Sequence, residues 1–66
     1  MKPLGQQIKD LRNKRRMTQT QLAEAANVGL SFIAKVEAGN RLPSMATLEA
    51  IARVLGARVQ IKLVKK

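Results

Sequence analysis

Residues 17–39 read Met17-Thr18-Gln19-Thr20-Gln21-Leu22-Ala23-Glu24-Ala25-Ala26-Asn27-Val28-Gly29-Leu30-Ser31-Phe32-Ile33-Ala34-Lys35-Val36-Glu37-Ala38-Gly39. Thr18 can cap a helix start. Gln21, three residues on, completes the pattern in which side chain and backbone satisfy each other's free N–H groups. The spacing predicts a short helix over about 19–26 with Leu22, Ala23 and Ala26 on its apolar face, the alanines small enough to let a second helix approach closely. Asn27-Val28-Gly29 breaks it, because Asn and Gly tolerate the conformations of a tight turn. A further helix is expected over about 30–38, with Ile33 and Val36 facing inward and Gly39-Asn40 as its stop signal.

Outward from this stretch, Leu4, Ile8 and Leu11 recur at i, i+4 and i+7 between charged residues, which predicts an amphipathic helix over about 3–15 with Pro3 in its first turn. Downstream, Arg41-Leu42-Pro43 reads as a loop. Ser44 can cap a fourth helix, whose apolar stripe of Leu48, Ile51, Ala52 and Leu55 ends at Gly56. The period then changes. Val59, Ile61 and Leu63 alternate with Arg58, Gln60 and Lys62, the repeat of a half-buried β-strand over about 58–64. A strand with no partner in its own chain either pairs with another molecule or frays. The expected fold class is all-α: one domain over residues 1–66, four helices and a C-terminal β-strand.

Composition narrows the function classes. Sixty-six residues suffice for one modest core and leave no room for a second, catalytic domain. With no cysteine and no histidine there is no disulfide framework, no thiolate or imidazole metal site and no Cys/His or Ser/His nucleophile pair. Asp10, Glu24, Glu37 and Glu49 are spaced as helix-surface residues rather than as a metal cluster, so neither an enzyme nor a metal or other cofactor is expected. Thirteen Lys+Arg against four Asp+Glu give a net charge of +9, which points to a polyanionic partner. The charge sits at the ends: net +5 over residues 1–16, net +4 over residues 58–66, and zero between. The second group is equally what a solvated tail would show. No apolar run approaches the roughly 18 residues that span a bilayer, and the N-terminus carries no signal-like apolar stretch, so a cytoplasmic, nucleoid-associated protein is expected. Two short helices around a tight turn, in a strongly basic chain, make the DNA-binding helix-turn-helix, over about 18–38, the leading hypothesis.

The residues from Met17 to Ala26, then Val28, Ile33, Val36-Glu37-Ala38-Gly39, Pro43-Ser44 and Leu48 to Gly56 closely resemble the Xre/Cro-type repressor family, over about residues 8–56 of the chain. The resemblance implies a lambda-repressor-like four-helix fold in which the second helix of the pair enters the major groove of double-stranded DNA. Carried over position by position, Gly29, Leu30, Ser31 and Lys35 take the base-facing or groove-facing places, Thr18 and Gln19 the helix start that meets a phosphate, and Asn40 and Arg41 the loop along the backbone. Arg12 and Glu37 match a pair joining the first helix to the end of the recognition helix, and Arg12 can also reach a phosphate.

The chain departs from the family in three places. Gly29 stands where a polar cap is usual and caps more weakly. Leu30 replaces the Arg or Gln that many members carry; it offers only apolar contact, for example to a thymine methyl, leaving base reading to Ser31, Lys35 and DNA shape. The expected strand replaces the usual fifth helix, as in short members resembling HipB-like antitoxins, which accompany HipA-type kinase toxins.

Simpler readings stand beside several of these residues. Phe32 can stack on DNA, but at helical spacing from Val28 and Val36 it reads first as core or near-core packing. Gln19 can serve only its helix start, Lys35 can be a solvated lysine, and Arg12 with Glu37 can be a purely structural pair. The expected function is a repressor that binds an inverted repeat as a homodimer, through antiparallel pairing of the strand at Val59, Ile61 and Leu63 with its copy from a second chain, the apolar face of the pair resting on Ile51 and Leu55 of the fourth helix. It acts either alone or as an antitoxin with a HipA-type toxin. The alternative is a protein-interaction or membrane-surface module, supported only by Lys14, Arg15 and Arg16, which lack aromatic insertion residues nearby.

Overall fold

The computed structural model describes residues 2–60 as four α-helices: α1 Leu4–Lys14, α2 Gln19–Ala26, α3 Leu30–Glu37 and α4 Met45–Val54. They share one core, in which Ile8, Leu22, Ala23, Ala26, Ile33, Val36, Ile51 and Leu55 are buried, with Leu4, Leu11, Met17, Val28, Phe32, Leu48 and Val54 packed against it. α3 lies against α2 and α1, and α4 against α2, so the recognition-type helix is held from two sides by apolar contact.

The start signals act as the sequence predicts. Thr18 Oγ1 accepts from the Gln21 N–H at 3.0 Å while Gln21 Oε1 accepts from the Thr18 N–H at 2.8 Å, a complete capping box. Ser44 Oγ accepts from the Thr47 N–H at 3.2 Å. Pro3 sits one position outside α1, its carbonyl accepting from Gln7 at 3.1 Å. In the turn between α2 and α3 the left-handed residue is Asn27, at φ 58° and ψ 46°, whereas Gly29 is extended at φ −75° and ψ 149°. The freedom of glycine is spent instead at Gly39 and Gly56, where φ is +83° and +66° just past α3 and α4.

Two close approaches were not read from the sequence. A Cβ on Gly5 would stand 2.6 Å from the Glu37 carbonyl oxygen and collide with that of Val36, so glycine lets the first turn of α1 press onto the last turn of α3. The positive start of α1 thereby lies close to the negative carbonyl end of α3, a favourable opposition of partial charges. Arg15 follows α1, and its Nε donates to the Leu55 carbonyl oxygen at the end of α4, 2.9 Å away. Its guanidinium fills the place that a side chain at Gly56 would take.

The expected strand over about 58–64, with its pairing to a second chain, extends beyond the described residues. Residues 57–60 have no regular secondary structure, and no strand is present among the described residues. Ile61 and Leu63 lie outside them. A single chain offers such a strand no partner for its ladder hydrogen bonds. Val59 is half-buried and lines, with Leu4, Ile8, Leu11 and Leu48, a groove of about 390 Å³ between α1 and α4. Ile51 and Leu55, expected to meet the apolar face of the paired strands, are buried in this chain's own core.

Candidate nucleic-acid interface

The first turn of α3 faces solvent. Gly29, Leu30, Ser31 and Lys35 are all exposed, Leu30 by 48%, and no side chain caps the helix start. Ser31 and Lys35, four residues apart, share one face of the helix, while Ile33 and Val36 on the opposite face are fully enclosed in the core. Sequence alternation thus becomes a rigid mount: apolar residues fix the helix axis, and short or basic residues are offered outward with open N–H groups at its positive end.

Arg12 is buried despite its charge. Its Nε donates to Glu37 Oε2 at 2.8 Å, its Nη2 to Glu37 Oε1 at 3.0 Å and its Nη1 to the Met17 carbonyl oxygen at 2.8 Å. The hydrogen bond from Arg12 to Glu37 is the main reason its pKa stands above the usual arginine value, burial acting the other way. The bidentate pair implied by the resemblance is therefore formed. With three donors committed inside the protein, Arg12 is placed as a support behind the exposed face of α3.

Gln19 extends this support. Its Nε2 donates to Glu37 Oε1 at 3.1 Å, so one carboxylate ties together α1, the start of α2 and the end of α3. The half-buried Gln19 side chain is turned partly inward, whereas its expected role used that amide on a phosphate. Thr18 Oγ1 is engaged in its capping box, leaving the helix start itself at the surface.

Beyond α3, Asn40 and Arg41 are exposed; the Asn40 N–H closes the helix on the Lys35 carbonyl oxygen at 2.9 Å. Arg41 Cζ lies 5.1 Å from the ring centroid of Phe32, within cation–π range. Phe32 is half-buried and packed against the core, which favours the packing reading over direct stacking on DNA. The structure thus brings Gly29, Leu30, Ser31, Lys35, Asn40 and Arg41 along the exposed side and far end of α3, and sets Arg12 and Gln19 behind it.

Sequence reasoning missed Gly5, Arg15 and the meeting of Phe32 with Arg41. A glycine inside an amphipathic helix was the available signal for Gly5, since it costs about 1 kcal/mol relative to alanine and persists where another backbone comes close. Nothing local announced the other two, because each joins residues from different elements.

Residues 8–61 match the Helix-turn-helix family. The chain is 48% identical over 56 residues to the immunity repressor protein of Bacillus phage phi105, covering 85% of the chain and 39% of that protein. It is 41% identical over 56 residues to the HTH-type transcriptional regulator RghRB of Bacillus subtilis, covering 83% of the chain and 40% of the relative. The chain therefore spans about two fifths of the length of these two relatives. Among solved structures, the biofilm master regulator SinR in complex with DNA superposes with a TM-score of 0.78 at 33% identity, covering 82% of this chain and 87% of that one. The restriction-modification controller protein C.AhdI of Aeromonas hydrophila gives 0.79 at 28% identity, covering 82% of each chain. With its four-helix core, capped α2 and outward-facing α3, the chain belongs to the Xre/Cro-type helix-turn-helix family.

Proposed function

We propose that the chain is a DNA-binding transcriptional repressor that works as a homodimer on an inverted repeat. The observation that carries this reading is the exposed face of α3, where Leu30, Ser31 and Lys35 project from a helix whose other face is locked in the core. In this reading Leu30 touches a thymine methyl, Ser31 and Lys35 meet base edges, and Gly29 lets the helix start come close to the duplex. Thr18 and Gln19 at the start of α2, with Asn40 and Arg41, follow the phosphates. No covalent chemistry is involved: bound protein excludes polymerase by occupancy. The net charge of +9 supplies the sequence-independent share of affinity through counterion release. The SinR complex with DNA and the phage immunity repressor support the reading by similarity.

The relatives named above are repressors and regulators, which supports a stand-alone regulator over an antitoxin. Stoichiometric co-purification of a HipA-type kinase toxin would reverse that preference. The experiment for DNA binding is affinity for duplex DNA as a function of salt. Log K should fall linearly with log salt, with a slope of about −0.9 for each phosphate neutralised. A nearly flat line on every duplex tried would overturn the reading in favour of a protein-interaction or membrane-surface module.

A further inference from the structure

We propose that Phe32 is a positioning residue for DNA binding: its ring holds the Arg41 guanidinium beside the exposed face of α3, ready to meet a backbone phosphate. This rests on the reading of α3 as the DNA-facing helix. Arg41 sits in the connection between α3 and α4. After the Asn40 N–H closes onto Lys35, the backbones of Arg41, Leu42 and Pro43 make no hydrogen bond to other backbone groups among the described residues. A long side chain on such a segment would lose much rotamer freedom on contacting DNA. The Phe32 ring removes part of that loss beforehand, because it is itself packed against the core and carries the guanidinium 5.1 Å from its centroid.

The two arginines near the interface are used in opposite ways. Arg12 spends donors on Glu37 and Met17. Arg41 has no ion pair and no side-chain hydrogen bond among the described residues, and its one specific contact is with the ring. Contact with a ring face engages the π surface of a guanidinium and leaves its N–H donors free, which suits bidentate binding of a phosphate. Leu42, 82% exposed, follows immediately, so among the described residues the loop beside Arg41 is open to solvent at both positions.

The test is a double-mutant cycle on the full chain with a labelled random-sequence duplex as probe, titrated at several salt concentrations. Arg41→Ala should reduce the salt slope by about one phosphate. Phe32→Leu should weaken binding about two- to fivefold, the equivalent of one surface cation–π contact, and Phe32→Trp should restore it. In the Arg41→Ala background, Phe32→Leu should produce no further loss of binding, although its effect on thermal unfolding should persist. If Phe32→Leu does not fold, Phe32→Met takes its place, keeping apolar volume without a ring face. Additive losses in the double variant, or unchanged binding by a folded variant without the ring, would overturn the proposal. Failure of the wild-type chain to bind the duplex would instead overturn the DNA-binding reading on which it rests.

Discussion

Arg12 and Glu37 stand 25 residues apart in the chain and meet through two hydrogen bonds of 2.8 and 3.0 Å, fastening the last turn of α1 to the last turn of α3. Both side chains are nearly enclosed, at 10% and 4% exposure. Removing one partner leaves the other charge buried without compensation, which costs about 3 kcal/mol. Arg12→Ala and Glu37→Ala should each lower the melting temperature, and lower DNA affinity as a consequence. Because the Arg12 pKa is raised in the folded state, its contribution is fully present below the ordinary arginine value and is lost only as pH rises through the still higher folded value. The difference in stability between wild type and Arg12→Ala should therefore stay constant from about pH 7 to pH 10. Unchanged melting temperatures for both variants would remove the pair from the account.

Gly5 and Gly29 should respond oppositely to added atoms. At Gly5 the obstructing groups are backbone carbonyls of Val36 and Glu37, which cannot swing aside, so Gly5→Ala should destabilise by about 1–3 kcal/mol. Around Gly29 nothing lies within 4 Å of a new Cβ. Gly29→Ser supplies the missing cap and should stabilise by about a few tenths of a kcal/mol. Urea unfolding of the two variants checks both signs.

Arg15 and Arg16 are adjacent in sequence and separate in role. Arg15 binds the carbonyl end of α4, where a cation contributes about 0.3–1 kcal/mol. Arg15→Ala should lower the melting temperature, whereas Arg16→Ala should weaken binding to all duplexes about equally and leave unfolding unchanged. Equal thermal effects of the two substitutions would count against this division.

These assignments mark how far the sequence was legible. The starts of α2 and α4 were readable because their signals are local, each cap bonding a residue in the first turn it precedes: Thr18 with Gln21, and Ser44 with Thr47. The Arg12–Glu37 pair and the site register came through resemblance, since only the fold brings α1 to the end of α3. Arg15 was illegible for a related reason: its partner, the carbonyl end of α4, lies 40 residues away in the chain and only the fold brings it within reach. The period over 58–64 was read correctly as alternation. A strand, however, is a relation between two segments, and alternation alone cannot supply the second one.

Truncation after Gly56 tests the role of the last ten residues. Among the described residues, every buried member of the core lies before that point, so the shortened chain should remain helical, but sediment as a monomer and bind an inverted repeat much more weakly. Val59 in the groove between α1 and α4 motivates this expectation, with Ile61 and Leu63 as the further apolar positions. A truncated chain that is still dimeric would shift the interface to α4.

Base reading should separate from backbone contact by substitution. Ser31→Ala and Lys35→Ala should alter the ranking of operator variants, with each lost base contact changing discrimination by about 1–3 kcal/mol. Asn40→Ala and Arg41→Ala should weaken all duplexes alike. Uniform losses for all four would reassign Ser31 and Lys35 to the phosphates.

The central claim is that the exposed face of α3 is where duplex DNA lies, and titration of the isotopically labelled chain with duplex DNA, followed by backbone amide chemical shifts, tests it most directly. The account predicts shifts concentrated at Thr18 and Gln19, across Gly29, Leu30, Ser31 and Lys35, and at Asn40 and Arg41, with little change along the outer face of α4 at Glu49 and Arg53. Shifts centred on α4, or none at DNA concentrations that saturate binding, would contradict it.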